Sequence, residues 1–410
     1  MHGNIVLFED HFLEDMRPVT LTRPAFDVTC GCHSLWEVAQ QAAGRVGFVV
    51  RDYIDDAVGK DVEAYPAGSG PTLFVNASVM PDVSYAHTMR ELLDAADPVL
   101  CTCGERVAAA LLPPDAEPPE ELGPDSVTSY LLGRDLPLCA QEPFTTIDYP
   151  FEIVKYAPEI FERSLERRLE DGSYEEVRPG IYAGEGVELS DRAVFHTEGG
   201  PIVLEDGVEV GDFSYLEGPA YVGPGSRVIE RSSVKELTCI GHTCKIGGEV
   251  EESTIEPYSN KQHHGFLGHS YVGSWVNLGA GTSNSDLKNT YGEIRVWHRG
   301  RKVETDMQFL GCIMGDYVKS AINTSIFTGK IIGTNSMLYG FVGSNVPSFT
   351  NYARSFDQVT EVPVEQAITT QRRMFERRDV EQTEEDAELL RRAFELTQDE
   401  RQMPDEPPII

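Results

Sequence analysis

The chain of 410 residues has no apolar run of about eighteen residues, which excludes a membrane-spanning helix at the level of sequence. Its N-terminus lacks a basic start, and acidic residues interrupt the apolar stretch between Met1 and Asp10, so it does not read as a signal peptide and predicts a cytoplasmic protein. Basic residues are scarce: 34 Lys and Arg stand against 67 Asp and Glu, for a formal charge of −33. Such a surface repels phosphate backbones and anionic lipid, which excludes nucleic acid and membrane as partners. Only nine of the basic residues are lysine. A carboxylate-rich surface that favours Arg over Lys points to a salty cytoplasm, where screening softens self-repulsion. The eight cysteines sit in a long chain without an export signal, so reduced thiols are expected. Cys30/Cys32 and Cys101/Cys103 are spaced too tightly for a usual zinc site and read as small buried side chains.

With 40% apolar residues the chain can bury more than one core, and its length predicts two domains. From residue 1 to 149 short apolar runs alternate with helical stretches. Ile5 to Phe8, Phe48 to Val50 and Leu73 to Val75 read as strands, and Ser34 to Ala43 and Ser84 to Ala96 as helices, an α/β pattern. Pro113 to Pro124 reads as a loop. A linker over 150–180 carries a helix from Pro150 to Leu169, with an apolar stripe and a stop at Asp171-Gly172. Aliphatic residues then recur at every sixth position through Leu204, Val210, Leu216, Val222, Val228, Val234, Ile240 and Ile246. A period of six fits neither a helix nor strand alternation, but it fits a parallel β-helix in which each flat face takes one short strand and one inward aliphatic side chain. The phase returns at Phe266, Val272 and Leu278 and again at Ile326, Ile332 and Leu338, so the repeat domain is placed at 181–346. Ser283 to Gln308 is too long and polar for the coil and is expected to project as a loop. From 347 to 410, helices at Ala367 to Arg377 and Glu384 to Leu396 are expected to cap the open end, followed by a disordered acidic tail.

Where the repeat is interrupted the chain reads Asn260-Lys-Gln-His-His-Gly-Phe-Leu-Gly-His269, then Val276-Asn-Leu-Gly-Ala-Gly-Thr282. This resembles the acetyltransferase domain of the bifunctional glucosamine-1-phosphate acetyltransferase/N-acetylglucosamine-1-phosphate uridyltransferase family, in which a catalytic His precedes Leu-Gly and then Asn-Ile-Gly-Ala-Gly-Thr. The resemblance implies a left-handed β-helix, a homotrimer with sites between neighbouring coils, acetyl-CoA as donor, and a sugar phosphate or nucleotide sugar as acceptor. It makes His263 the general base, with His264 as the neighbouring alternative. An imidazole suits that role, since acyl transfer needs an acceptor for the proton of the attacking amine or hydroxyl. Asn277 is expected to hold the sugar, Gly279, Ala280 and Gly281 to let the cofactor approach the backbone, and Lys261 and Lys288 to meet a phosphate. The family's Asn-Tyr pair is Asp286-Leu287 here, which makes Asp286 a substrate contact of changed chemistry. Ser285-Asp-Leu-Lys-Asn-Thr-Tyr291 looks closer to a branch described as sugar nucleotidyltransferases, and that likeness extends over nearly the whole chain.

In the first domain, Arg17-Pro-Val-Thr-Leu-Thr-Arg-Pro24 resembles the end of a nucleotidyltransferase phosphate loop, which makes Arg17 and Arg23 candidate phosphate ligands; the glycine-rich part that should precede them is missing. Leu73 to Pro81 resembles the strand that ends in Asn-Gly-Asp in active relatives, with Ser78 where Asp binds magnesium, so Mg2+ is expected only if this domain is active. The fold expected is thus an α/β nucleotidyltransferase-like domain followed by a left-handed parallel β-helix with C-terminal helices, and the activity an acetyl transfer. Two rivals stand beside it: a nucleotidyltransferase with a structural β-helix, and a non-catalytic scaffold that binds a nucleotide sugar. A surface so rich in carboxylates is expected to gain stability as salt screens its self-repulsion. The melting temperature rises between low and molar potassium chloride, and a salt-independent value refutes the habitat argument.

Overall fold

The computed structural model describes residues 3–55, 58, 70–113, 116 and 123–402; most of the expected Pro113–Pro124 loop and the last eight residues lie outside them. Five strands form the first sheet: β1 (Asn4–Phe8), β2 (Val46–Val49), β3 (Thr72–Asn76), β4 (Val99–Cys103) and β5 (Arg106–Leu112), in the order β2-β1-β3-β5-β4. β1 pairs in parallel with β2 and β3 and is buried along its whole length, which is why its sequence is a continuous apolar run. The β4–β5 hairpin adds an antiparallel edge beyond the three strands expected from sequence. Helix α1 (Leu35–Ala42) starts at a capping box between Ser34 and Glu37, and α2 (Tyr85–Ala95) follows β3. The longer helices that follow are α3 (Pro124–Leu132), α4 (Glu152–Asp171), α5 (Val364–Glu376) and α6 (Glu384–Leu396).

Beyond a short strand at Glu175–Arg178, the chain winds into a left-handed parallel β-helix with three faces. On the first face Ile202–Leu204 pairs with Ala220–Val222, and that strand with Thr238–Ile240, each eighteen residues on. Inward side chains then stack in columns, Leu204, Val222, Ile240, Ile255 and Val272 forming one of them. The next coils are shorter: Cys239 pairs with Thr254, fifteen residues on, and Thr254 with Tyr271, seventeen on. The phase therefore slips, and on the third face Leu267 rather than Phe266 takes the inward position beside Val250. The interruption is also shorter than expected at its start, because Ser283–Asn284 remains a coil strand paired with Ser325–Ile326. What projects is an antiparallel hairpin, Arg295–His298 with Arg301–Glu304.

The first face is apolar outward as well as inward, since the first domain and α4 cover it. Val203, Tyr221 and Cys239 pack with Phe161 and Leu165 of α4, and Tyr271, Ile313 and Ile331 join the core of the first domain. The hairpin clasps that domain from another side, with Ile294 and Val296 in its core and Arg299 donating to Glu14 at 2.7 Å. At the centre of the interface Arg23 is largely buried between two carboxylates of the β-helix. It forms a short ion pair with Asp316 and another with Glu256 at 3.3 Å, while Thr22 Oγ1 donates to Asp316 at 2.6 Å. Tyr271 donates its hydroxyl proton to Glu256 at 2.8 Å.

The C-terminal helices do not close the end of the coil as expected. They lie along one edge of it, where Trp275, Tyr317 and Phe349 occupy corner positions with positive φ and pack against Phe375, Ala387 and Leu390. The last coil strand, Thr350–Ala353, instead pairs with the antiparallel strand Gln358–Glu361. No helix among the described residues is long and apolar enough to cross a membrane. The eight cysteines are free thiols; six are buried, and burial pushes Cys32 and Cys101 up to about 12.

Asp316→Ala removes the closer of the two partners of a largely buried guanidinium. Because Glu256 remains, the loss should be about 2–3 kcal/mol, below the ~3–5 kcal/mol of a buried pair broken outright. Urea denaturation of the full chain measures it, and a loss within error of zero would show that this ion pair does not hold the domains.

Candidate functional site at the interrupted coil

Counting six from Ile255 reaches Lys261, and its side chain does point inward. Lys261 is paired in register with Ile246 and is 3% exposed, a lysine in an aliphatic slot of the coil. Its ammonium donates to the carbonyls of Gly247 (2.7 Å), His263 (2.9 Å) and Gly265 (2.7 Å), so its three N–H groups are all spent inside the protein. Burial lowers its pKa to about 8. The expected phosphate contact would have to break one of these bonds. What Lys261 does in this geometry is clamp the turn that carries His263 and His264. Gly265 closes that turn at φ +131, where a Cβ would collide with the carbonyl oxygen of Thr282.

His263 and His264 are exposed at the corner between the second and third faces. The amide nitrogen of Gln262 lies 3.1 Å from His263 Nε2. An amide nitrogen can only donate, so in this contact His263 Nε2 is the acceptor and its lone pair is taken up by Gln262. Gln262 in turn lines a cleft of about 310 Å³ between the second face and the end of α5, and Asn277 projects into the same cleft from the next coil. Asn277 is exposed and bridges the ladder between Asn260 and Lys319. Gln262 thus touches His263 and lines the cleft that Asn277 also lines.

The other expected residues are arranged differently. Asp286 Oδ2 accepts from His269 Nδ1 at 2.9 Å, and His269 Nε2 reaches Glu252 at 3.2 Å. Burial opposes the charge on His269, yet the hydrogen bonds to Asp286 and Glu252 outweigh it and lift the pKa to about 9. With a carboxylate on each ring nitrogen His269 is an imidazolium at neutral pH, a charged strut stacked on Phe309. Glu251, His269 and Asp286 are close enough to share a metal ion. Lys235, however, already donates to Glu251 at 2.9 Å and Glu249 at 2.7 Å, which supplies the positive charge these acids need. Lys288 donates to the carbonyl of Glu293 at 2.5 Å within the insertion. Gly279 and Gly281 answer to the neighbouring coil: a Cβ on Gly279 would meet the backbone of Ala321 at 2.6 Å, and one on Gly281, at φ +78, would collide with the side chain of Asn323. Ala280 lies between them and is half-buried.

In the first domain Arg23 is committed to the ion pairs described above, which corrects the expectation that it meets phosphate. Arg17 donates to the carbonyl of Leu396 at 3.4 Å and lines a cavity of about 810 Å³ with Arg51, Tyr53 and residues of α6. The segment that would cradle a triphosphate is stitched down from within. Arg51 binds Glu9 at 2.8 and 3.0 Å and reaches the carbonyls of Thr20 and Arg23. Ser78 Oγ donates to Asn76 at 2.7 Å, and Asp10, which shares Asn76, is held by Arg106 at 2.7 Å and by Asn76 at 2.7 Å. A hydroxyl and a carboxylate already neutralised by Arg106 make a poor donor set for Mg2+.

Residues 5–171 match the sugar nucleotidyl transferase family. A bifunctional sugar-1-phosphate nucleotidylyltransferase/acetyltransferase of Sulfurisphaera tokodaii is 32% identical over 142 residues, 34% of this chain and 35% of that one. A bifunctional protein GlmU of Methanococcus vannielii is 29% identical over 119 residues, 29% of this chain and 28% of that one. The chain thus spans about a third of the length of these curated relatives. A solved UDP-N-acetylglucosamine acyltransferase of Francisella novicida aligns with 53% of this chain and 83% of its own at 15% identity, with a TM-score of 0.31. The resemblance read from the sequence is to the same class of bifunctional protein.

The raised pKa of His269 has a sign that can be measured. Its contribution to stability is complete below the unfolded value of ~6.5 and is lost as pH rises through about 9. Proton NMR should show the His269 ring still charged at pH 8, and Asp286→Asn should bring its titration down toward neutrality. A ring that titrates near 6.5 in the unaltered chain would contradict the strut.

Proposed function

We propose that this protein transfers an acetyl group from acetyl-CoA to an amine or hydroxyl of a sugar phosphate or nucleotide sugar, with His263 as general base. The observation that carries the reading is the Lys261 clamp, which fixes a His-bearing turn at an exposed coil corner, where His263 Nε2 accepts from Gln262 and Gln262 lines a cleft together with Asn277. As the acceptor attacks the thioester carbonyl, its proton passes to His263 Nε2, the C–S bond breaks, and the same proton leaves on the CoA thiol. Asn277 orients the acceptor, and Gln262 gives way to it. Similarity to a sugar-1-phosphate nucleotidylyltransferase/acetyltransferase supports the substrate class.

Assembly as a homotrimer is part of the same reading. Ile322, Phe327 and Phe341 are 69%, 42% and 64% exposed at the third face and its corners, an apolar strip that a second copy would cover. Buried free thiols fit a reducing cytoplasm. For the first domain the match over residues 5–171 favours nucleotidyl transfer as a second reading. The donor set around Ser78 and Asp10 does not fit a magnesium ion, so that domain is read as a binding module; release of pyrophosphate from a nucleoside triphosphate and a sugar phosphate would reverse this.

His263→Ala should lower acetyl-CoA-dependent turnover about 10²–10⁴-fold, the usual scale for a general base, with an unchanged melting temperature. Unaltered rates in that variant, or an equal loss only in His264→Ala, would remove His263 from the role. Light scattering on the same samples gives the number of copies, and a monomer would remove the trimer.

A further inference from the structure

The charge of this chain is distributed against expectation in one place. The cleft beside Asn277 is walled by Lys245 and Lys319 from the second face and by Arg377 and Arg378 from the end of α5, and among the described residues no carboxylate lines it. Two of only nine lysines are spent here, in a protein with 67 acidic residues. The placement follows from the coil register: Lys245 and Lys319 each precede an inward residue, Ile246 and Ser320, so both point outward on one face, in one ladder with Asn260 and Asn277. Lys319 is largely buried and donates one proton to the carbonyl of Tyr317 at 2.8 Å, which leaves two N–H groups for a ligand. Arg378 is oriented by Asn260 at 2.7 Å. Glu209 stands two places along the same ladder from Lys245, where it is engaged with Arg227 at 2.8 Å.

Four cations held around about 310 Å³ without a counter-charge repel one another. Burial lowers the pKa of Lys319 to about 8, and burial together with Arg378, Arg227 and Arg377 lowers that of Lys245. An anion would relieve that repulsion. The floor is aromatic: Tyr258 and Trp275 stack at 4.2 Å, and Trp275 meets Phe375 at 4.5 Å, so the bottom of the cleft is rigid.

We propose that this cleft, formed by the second face of the β-helix and the end of α5, binds the phosphoryl or pyrophosphoryl group of a substrate through Lys245, Lys319, Arg377 and Arg378. The inference deepens the acetyl-transfer reading, because it gives the substrate's phosphate a place next to Asn277 and Gln262, but its test does not require turnover. The shared chemistry is a phosphate ester or anhydride, and two sources carry it: a sugar phosphate or nucleotide sugar, and CoA itself.

Calorimetric titration of the full chain with inorganic pyrophosphate, glucosamine 1-phosphate and CoA separates the sources. The unaltered protein should bind pyrophosphate and one of the other two. Lys245→Met with Arg377→Gln, both at the solvent edge of the cleft, should weaken that binding about tenfold or more for each charge-assisted hydrogen bond removed. The melting temperature in ligand-free buffer should stay the same or rise, since mutual repulsion is relieved. Equal affinities in the double variant and the unaltered chain, or no binding of any of the three at millimolar concentration, overturns the proposal. His263→Ala should bind pyrophosphate normally. A His263→Ala chain that binds but does not turn over leaves the cleft standing with the base, whereas normal turnover of His263→Ala together with weakened binding in the double variant keeps the cleft and discards the base.

Discussion

Each coil of the β-helix has three inward positions, and whatever fills them must pack against the coils above and below. Over most of its length this column is aliphatic, and the stacking of Leu204, Val222, Ile240 and their equivalents holds the faces flat. Around the interruption the rule is relaxed three times. Lys261, Asn284 and Ser320 occupy inward positions, and each is satisfied at once: Lys261 by three carbonyls, Asn284 by both polar atoms of the Gly268 backbone at 3.0 Å, and Ser320 by Thr282 at 2.7 Å. Polar groups in a dry core are tolerated only when fully bonded. Their bonds tie each of these residues to a neighbouring coil, and those of Lys261 also reach the turn that carries His263, so there the interior of the helix shapes its rim.

The first domain and the β-helix form one packed body by the same logic. The outward residues of the first face are apolar because a domain lies on them, and α4, which reads as a linker in the sequence, is the wedge that seals the interface. Arg23 shows how a motif can persist in sequence and change its role. It stands where a phosphate-loop arginine is expected, but Asp316 and Glu256 of the β-helix take up its charge, and Glu9 with Arg51 fills the space behind it.

Much of the architecture is legible from residues alone, because a period of six has few structural solutions. Leu35–Ala42, Tyr85–Ala95 and Glu384–Leu396 fall close to their expected bounds, since capping residues and apolar stripes are local signals. The β4–β5 hairpin is harder to see because its strands are buried by partners distant in sequence. Strict counting by six puts Phe266 inward, but a coil shortened to fifteen residues shifts the phase by less than one hexad. The site is half legible. Gln262 touches His263 and lines the cleft that Asn277 also lines, whereas the charged rim of that cleft is assembled from two coils and the end of a helix far along the chain, which no local pattern reports. Part of the signal is nevertheless there: Lys245 and Lys319 each sit one place before an inward position, and a lysine there must face outward. Lys261 carries the opposite signal, six residues after Ile255, and counting alone is enough to bury it.

The hairpin from Arg295 to Glu304 reaches back across 285 residues to grip Glu14. During synthesis the first domain therefore leaves the ribosome long before the element that holds it is made, and the apolar patch that will receive Ile294 and Val296 stays wet until then. Solenoids ordinarily grow from neighbour to neighbour, so that a break spreads only locally. Here a clasp from the middle of the winding ties its fate to the oldest part of the polypeptide, and the whole molecule should melt as a single cooperative unit instead of fraying coil by coil.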